Sequence, residues 1–170
     1  GATSGIGSAA IQIAKNIGAK VISTVGHKNK VNYAKELGSD HVLQHYNNDN
    51  FVNEIKDITN SKGCNVIFEH VGLNTWSNTM RSLSIGGRVV TCGATTGPKI
   101  SIDLRHLFMK QQTILGSTMS SIKSFKEVMD NINNEYYKPF VDKVFTFNDI
   151  KEAHTYIENR KHMGKIVLIP

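Results

Sequence analysis

The sequence has few cysteines, few prolines and no long apolar segment. Its 170 residues include 2 cysteines and 3 prolines. Cys64 and Cys92 stand far apart, and neither belongs to a CxxC pair or a Cys/His cluster, which argues against a disulfide framework and a structural zinc site. We expect both to be buried strand residues of a cytoplasmic protein, because the cytoplasm keeps thiols reduced. No apolar run approaches the roughly 18 residues of a membrane-spanning helix, so no membrane partner is expected.

Basic residues outnumber acidic ones, but they form no cluster. The formal net charge is +6, and the lysines are scattered among acids without a basic run or an interleaved aromatic platform. Nucleic-acid binding is therefore not expected. A basic balance also suits a domain that holds a multiply phosphorylated cofactor. With 39% hydrophobic residues, the chain can bury the core of one domain, with or without part of a neighbour.

A glycine-rich turn opens the sequence and leads directly into a helical pattern. Residues 1–7 read Gly-Ala-Thr-Ser-Gly-Ile-Gly, and the apolar periodicity that follows ends at Gly18. Glycines let a backbone approach a ligand closely, and the first N–H groups of a helix lack partners within it, so the turn is suited to bind a phosphate. Residues 21–25 then read as a buried strand. This is the order of a dinucleotide-binding βαβ unit without its first strand, so we expect the chain to be a piece of a longer protein.

The rest of the chain alternates between strand and helix patterns. Strands are predicted near residues 41–43, 65–71, 88–92, 113–115, 144–147 and 165–169, and helices near 29–37, 51–58, 76–83, 104–108, 122–132 and 148–157, with Gly86 and Gly87 at a helix end and Asn148 as a cap. Such alternation predicts an α/β fold with a Rossmann-type doubly wound parallel sheet. A polar stretch at 131–139 indicates a dinucleotide-binding domain over 1–135. The C-terminal βαβ segment over 136–170 would then pack with a catalytic domain outside this sequence.

Eight short segments together carry a resemblance to a known family. They are Gly5-Ile-Gly-Ser-Ala-Ala-Ile-Gln-Ile-Ala-Lys15, Thr24-Val-Gly26, Lys35-Glu-Leu-Gly38, Phe68-Glu-His-Val-Gly72, Thr75-Trp76, Gly86-Gly-Arg-Val-Val-Thr-Cys-Gly-Ala-Thr-Thr-Gly97, Ile114-Leu-Gly-Ser117 and His162-Met-Gly-Lys-Ile-Val-Leu168. In this order and spacing, they resemble the nucleotide-binding and C-terminal part of the medium-chain dehydrogenase/reductase superfamily, in its quinone-oxidoreductase and zinc-type alcohol dehydrogenase branches. The resemblance runs from one end of the chain to the other.

The residues that follow the predicted strand at 21–25 indicate which nicotinamide cofactor is bound. An acidic residue there would accept hydrogen bonds from the ribose hydroxyl of NAD and would repel the 2′-phosphate of NADP. Residues 24–30 contain no acid, and they include His27, Lys28 and Lys30. NADP (NADPH) is therefore favoured over NAD. The alternative is that the two lysines are solvated residues at the start of a helix.

The resemblance also implies which residues face each part of the cofactor. Lys30 and Tyr46 match positions that contact the 2′-phosphate, and Arg160 falls near a third such position. The remaining residues lie in the glycine-rich turn or at the ends of predicted strands: they are Gly5, Ile6 and Gly7 for the pyrophosphate, Gly26 and His27 beside the 2′-phosphate, Val71 and Gly72 for the adenosine side, Gly93, Ala94 and Thr95 for the nicotinamide side, and Gly116 and Ser117 near the carboxamide. The alternative for the glycines is that they serve only the turns.

The resemblance implies an oxidoreductase that transfers a hydride to or from a small alcohol, aldehyde, quinone or enone. In this superfamily, the substrate pocket and any catalytic zinc belong to an N-terminal domain that precedes these residues. We therefore expect no catalytic residue and no metal ligand in this chain, which alone would be inactive. His70 is the histidine closest to the expected site, and a structural role is favoured for it. The alternative function is a non-catalytic NADPH-binding sensor or interaction module.

The predicted strand at 113–115 would lie at the edge of the sheet. An apolar edge strand invites pairing with another chain. In the family that the sequence resembles, this edge pairs across a two-fold axis, so a homodimer through residues Thr113 to Leu115 is expected.

Overall fold

Strands and helices alternate throughout the computed structural model, which describes residues 1–45 and 48–170. The helices are α1 (Gly5–Asn16), α2 (Val31–Glu36), α3 (Phe51–Ile58), α4 (Trp76–Ser82), α5 (Leu104–Met109), α6 (Ile122–Asn133) and α7 (Ile150–Glu158). The strands are β1 (Ile22–Val25), β2 (His41–Gln44), β3 (Cys64–Glu69), β4 (Leu83–Thr91), β5 (Thr113–Gly116), β6 (Val141–Thr146) and β7 (Lys165–Ile169). The paired strands are parallel, which confirms the predicted α/β class.

The first compact unit comprises residues 1–44 and 121–170. In it, β1 pairs with β2 and β6 pairs with β7, and the C-terminal part forms the predicted βαβ segment through α7. One core cluster contains Ala2, Ile11, Val25 and Ala34, which come from the glycine-rich turn, α1, β1 and α2. Burial of these side chains holds the turn and α1 against β1.

The second compact unit comprises residues 45 and 48–120. Its sheet has the order β3-β4-β5, and its core cluster contains Trp76, Met80, Leu83 and Val89. Val89 of the central strand is fully buried against Trp76 and Met80 of α4, whereas Val66 and Phe68 of β3 are exposed. Glu69 of β3 pairs with Thr91 of β4, so the loops that follow these two strands start side by side.

Helix α1 begins where the sequence predicts and has a well-defined cap. The Ser4 side chain accepts a hydrogen bond from the backbone N–H of Gly7 at 3.0 Å. A serine in this position satisfies one of the N–H groups that the first helical turn leaves without a partner. The helix ends before Gly18, whose φ of +79° is a conformation that residues with a side chain rarely adopt.

Three local predictions were wrong in detail. Gly86 and Gly87 do not follow a helix but lie inside β4, in an irregular stretch where the pairing shifts between Cys64 and Val66 of β3. Cys92 is exposed after β4, whereas Cys64 is partly buried, so only one cysteine comes near the expected environment. Asn148 lies within a 3₁₀ turn (Phe147–Asp149), and α7 begins at Ile150.

The described helices are short, and the longest of them, α1 and α6, have 12 residues each. None of them, within residues 1–45 and 48–170, is both long enough and apolar enough to cross a membrane.

Candidate cofactor-binding site

The glycine-rich turn is held in place by backbone hydrogen bonds to the end of β1. The N–H of Ala2 donates to the carbonyl of Thr24 at 2.9 Å, and the Ser4 hydroxyl donates to the carbonyl of Gly1 at 2.8 Å. Ser4 also caps Gly7, as described above. Within the described residues, the N–H groups of Gly5 and Ile6 have no hydrogen-bond acceptor. The turn therefore presents two open N–H groups at the positive end of the α1 dipole, which is the arrangement that binds an anion.

The two glycines of the turn have different roles. A Cβ at Gly7 would collide with the carbonyl oxygen of Gly1 and with the backbone of Ala2, so only glycine allows the turn to close over the helix. A Cβ at Gly5 would instead meet the flexible side chain of Lys165. Gly7 thus shapes the turn and gives its own N–H to Ser4, whereas Gly5 and Ile6 keep theirs open.

Two of the residues predicted to contact the 2′-phosphate lie together in the first unit. The Lys30 ammonium donates to the carbonyl oxygens of Arg160 at 3.1 Å and His162 at 2.9 Å. Burial lowers the pKa of Lys30, against a smaller opposing effect of Asp142. The Arg160 side chain is exposed, and no salt bridge engages it among residues 1–45 and 48–170. The Lys30 ammonium thus lies against the backbone of Arg160, whose exposed side chain has no salt bridge among the described residues.

The other residues predicted beside the 2′-phosphate are placed only in part. Gly26 directly follows β1, and the exposed His27 precedes the 3₁₀ turn Lys28–Lys30, where its carbonyl accepts from Lys30 N–H at 3.1 Å. Tyr46 lies outside the described residues. The end of β1 therefore brings His27 and Lys30 into one short turn.

A buried carboxylate organises the predicted cofactor-binding residues of the second unit. Glu69, at the end of β3, is only 3% exposed. One carboxylate oxygen accepts from the N–H groups of Val71 at 2.6 Å and Gly72 at 3.2 Å. The other accepts from the hydroxyls of Thr75 at 2.9 Å and Thr79 at 2.7 Å. The carboxylate thus joins the turn after β3 to the start of α4, with no cation bound to it among the described residues.

The loop after β3 is also tied to the loop after β4. The N–H and the hydroxyl of Thr96 both donate to the carbonyl of Val71, at 2.7 and 2.8 Å, and Thr95 donates in the same way to the carbonyl of His70, at 3.4 and 3.0 Å. Gly72 has a φ of +94°, and a Cβ there would come within 2.7 Å of the Gly97 carbonyl oxygen. The two loops therefore form one rigid surface in the second unit.

The remaining predicted residues lie on the exposed side of this surface or at the end of β5. Gly93, Ala94 and Thr95 are exposed. Gly116 pairs with Thr91, and Ser117 N–H donates to the Thr91 carbonyl at 2.9 Å. The carboxyl ends of β3, β4 and β5 thus carry all the predicted residues of the second unit that the structure describes, which is where open α/β sheets bind their ligands.

Sequence analysis missed the role of Glu69. A signal was available, since Glu69 is the only acidic residue in the apolar strand pattern at 65–71 and an unpaired carboxylate would not remain buried. His70, by contrast, has its pKa lowered by burial and offers its backbone carbonyl to Thr95. Within residues 1–45 and 48–170, no group of three or more His, Cys, Asp or Glu side chains is placed to hold a metal ion.

Comparison with known proteins assigns the chain to a family. The sequence profile described as zinc-binding dehydrogenase matches residues 5–134. The chain belongs to this family. The match confirms the resemblance to the medium-chain dehydrogenase/reductase superfamily, whose members among the relatives are quinone oxidoreductases and alcohol dehydrogenases.

Three relatives illustrate the similarity of this family member. A quinone oxidoreductase of Salmonella typhimurium is 30% identical over 182 residues, covering 99% of this chain and 55% of the relative. A solved NAD-dependent alcohol dehydrogenase superimposes with a TM-score of 0.92 at 33% identity, covering 99% of this chain and 49% of that one. A crotonyl-CoA carboxylase/reductase in complex with NADP superimposes with a TM-score of 0.90 at 25% identity, covering 99% and 48%. The chain thus spans about half the length of these relatives.

Proposed function

We propose that this chain is the NADPH-binding part of an oxidoreductase that transfers a hydride to or from a small alcohol, aldehyde, quinone or enone. The observation that carries the proposal is the hydrogen bond from the Lys30 ammonium to the backbone carbonyl of Arg160, which brings two cationic residues that are distant in sequence next to each other. A 2′-phosphate would find positive charge there and, within residues 24–30, no acid to repel it.

Each unit is assigned its own part of the cofactor. In the first unit, the open N–H groups of Gly5 and Ile6 would bind the pyrophosphate, and Gly26, His27, Lys30 and Arg160 would surround the 2′-phosphate. In the second unit, Val71 and Gly72 would face the adenosine side, Gly93, Ala94 and Thr95 the nicotinamide side, and Gly116 and Ser117 the carboxamide. The bound nicotinamide would supply the hydride chemistry, and these residues would bind and orient it.

The relatives support a nicotinamide cofactor but not one choice of phosphate. One similar structure is described as NAD-dependent, and another holds NADP. The preference for NADPH in this chain therefore depends on its own residues. Lys30 is the decisive one, because two carbonyls fix its ammonium and, among the residues that the structure describes, its third N–H donor has no acceptor.

The test is a fluorescence titration of the chain with NADPH and with NADH at two salt concentrations. We expect tighter binding of NADPH, with a stronger salt dependence, because a phosphate–lysine contact weakens as salt screens it. In Lys30→Glu, NADPH affinity should fall about 10- to 100-fold and the preference should disappear, since a like charge replaces a charge-assisted hydrogen bond.

The matched control is Lys28→Glu, which makes the same change of net charge in the same 3₁₀ turn at an exposed position. Lys28→Glu should keep most of the preference for NADPH over NADH. Equal affinities of the original chain for NADPH and NADH would contradict the choice of NADP, and equal effects of the two variants would contradict the assignment of Lys30.

Several further features remain predictions about the whole protein. A substrate pocket, and zinc if it is used, would belong to a domain outside this sequence. A homodimer is supported by the position of β5, which is an outer strand of its sheet and exposes Leu115. Light scattering that found only monomers would contradict it. A cytoplasmic location and the division into domains at residue 135 also await measurement.

A further inference from the structure

The segment between α7 and β7 contacts both of the predicted phosphate-binding places in the first unit. At one end, the carbonyls of Arg160 and His162 accept hydrogen bonds from Lys30. At the other end, Gly164 N–H donates to the carbonyl of Thr3 at 2.7 Å, inside the glycine-rich turn. Gly164 also forms an isolated parallel bridge with Ser4, which caps α1. We call residues 160–164 the connecting loop.

The connecting loop has little freedom to change shape. Met163 N–H donates to the Asp142 carboxylate at 3.3 Å, and the Tyr156 hydroxyl donates to the same oxygen at 2.8 Å. Gly164 is buried with a φ of +81°, and a Cβ there would come within 2.6 Å of the Phe140 carbonyl oxygen. A loop held at this many points moves as one piece, so a displacement at Lys30 also reaches Thr3.

The position of Arg160 depends on Lys30 in the same way. Arg160 has a φ of +53°, a backbone conformation that is unfavourable for a residue with a Cβ. The hydrogen bond from Lys30 to its carbonyl helps to hold this conformation. Without Lys30, the backbone at Arg160 loses this hydrogen bond and can relax towards a more favourable conformation.

We propose that the connecting loop couples the 2′-phosphate position to the phosphate-binding turn, so that Lys30 supports binding of the whole dinucleotide and not only of its 2′-phosphate. This proposal rests on the proposed function. Lys30 and Gly164 become positioning residues for the turn, in addition to the direct phosphate contact proposed for Lys30. NADH affinity distinguishes this proposal from the simpler one, in which Lys30 contacts only the 2′-phosphate, because NADH lacks that phosphate. If Lys30 only binds that phosphate, its loss leaves NADH affinity unchanged.

The first measurement is hydrogen exchange of the full chain without cofactor, in Lys30→Met and in the control Lys28→Met. We expect the amides of Met163 and Gly164 to exchange about tenfold faster in Lys30→Met, because two charge-assisted hydrogen bonds to the loop are lost. Lys28→Met removes the same charge from an exposed position and should leave both amides unchanged. Unchanged exchange in Lys30→Met would overturn the coupling, whatever the chain binds.

The second measurement is NADH affinity of the same variants. Lys30→Met should weaken NADH binding about three- to tenfold more than Lys28→Met does, and should weaken NADPH binding further still. Equal NADH affinities in the two variants, with NADPH weakened only in Lys30→Met, would leave the proposed function in place and overturn the coupling. If the original chain binds neither nucleotide, the proposed function fails, and the exchange result still decides whether Lys30 holds the loop.

Gly164→Ala tests the same coupling from the other end of the connecting loop. Its Cβ would displace the loop from Phe140, and we expect it to lower the ratio of NADPH to NADH affinity although Gly164 is not proposed to contact the 2′-phosphate. In the double variant with Lys30→Met, the two losses should be clearly less than additive. Full additivity would overturn the coupling. If Gly164→Ala does not fold, the Lys30→Met measurements decide alone.

Discussion

The two units hold their predicted cofactor-binding turns by opposite means. In the first unit, the turn before α1 leaves the N–H groups of Gly5 and Ile6 open and is shaped by the lack of a side chain at Gly7. In the second unit, the N–H groups of Val71 and Gly72 are already bound by the carboxylate of Glu69. One turn is ready to accept an anion, and the other already contains one of its own.

This difference indicates where the phosphates of a dinucleotide can bind. Successive backbone N–H groups that point to one place form an anion-binding site. In the second unit, the Glu69 side chain fills that site, so the N–H groups of Val71 and Gly72 are not available to a phosphate. We therefore expect the phosphates to bind in the first unit, where the N–H groups of the glycine-rich turn, Lys30 and Arg160 lie.

The largest effect is expected from removing the internal anion, with Glu69→Leu. Two N–H groups and the Thr79 hydroxyl would lose their acceptor inside the second unit, and the Thr75 hydroxyl would keep only its longer hydrogen bond to the Gly72 carbonyl at 3.2 Å. Each buried polar group left unpaired is costly, so we expect the free energy of unfolding to fall by about 3 kcal/mol or more. Urea denaturation measures this loss. Among folded molecules, the affinities for NADPH and NADH should fall by the same factor. The substitution alters the shape of the turn after β3, whereas the residues proposed to distinguish the two nucleotides lie in the first unit.

Glu69→Gln is the matched control for this prediction. An amide keeps one acceptor oxygen and nearly the same volume, so the loss of stability should be smaller, about 1–2 kcal/mol. A Glu69→Leu protein within about 0.5 kcal/mol of the original, which is the range of ordinary surface substitutions, would show that the carboxylate does not hold the turn. Restoration of nucleotide binding by Gln but not by Leu would support it.

The next effect concerns the glycine that shapes the turn of the first unit. In Gly7→Ala, the Cβ would overlap the Gly1 carbonyl oxygen, so the turn or the first residues of α1 must move. We expect a loss of about 2 kcal/mol of stability from this overlap, together with weaker binding of both nucleotides. Urea denaturation and a nucleotide titration measure the two effects.

Gly18→Ala, at the other end of the same helix, provides the comparison for Gly7→Ala. Gly18 has open space around its Cβ position, and only its φ of +79° opposes a side chain. Its replacement should cost about 1 kcal/mol through the left-handed backbone alone and should leave nucleotide binding intact. If Gly7→Ala and Gly18→Ala weaken nucleotide binding equally, the shape of the turn before α1 does not determine binding, and the contrast between the two units is wrong.

Features that repeat along the chain could be predicted from the sequence. Apolar residues at helical or strand spacing, with glycine after the helix, located α1, β1 and the helices and strands that follow. Features that depend on one tertiary contact could not. Gly86 and Gly87 resemble a helix exit, yet they lie in β4 because Leu83 and Arg88 pair with residues of β3 on either side of them.

The candidate site shows the same limit. The glycine turn and the lysines after β1 are local in sequence, so their position after a strand or before a helix could be predicted, and a role could be proposed for them. The hydrogen-bond partners of Glu69 and Lys30 could not be predicted, because they are distant in sequence. Thr79 lies ten residues after Glu69, and His162 lies far beyond Lys30 along the chain. Which donors and acceptors meet is decided only when the helices pack.

The smallest expected effect comes from Tyr33, whose hydroxyl contrasts with Glu69. It is buried in the first unit and, within the described residues, has no hydrogen-bond partner. Burial, with the charges of Asp142 and Glu36, raises the pKa of Tyr33 to about 12. Because removing an unpaired polar atom costs nothing in hydrogen bonding, Tyr33→Phe should be more stable than the original by about 0.5–1 kcal/mol at neutral pH.

The same hydroxyl also predicts a dependence on pH. Between pH 10 and 12, the unfolded chain loses the tyrosine proton while the folded chain keeps it, so the original protein loses stability as pH rises through this range. The loss should be about 1 kcal/mol after allowance for partial exposure of the ring, and it should be absent from Tyr33→Phe. Urea denaturation at pH 8.5 and at pH 11 would measure it, with the exposed Tyr136→Phe as the control for other groups that titrate. If Tyr33→Phe and Tyr136→Phe respond alike, the Tyr33 hydroxyl is solvated, and it no longer provides an enclosed group without partners to set against the fully partnered carboxylate of Glu69.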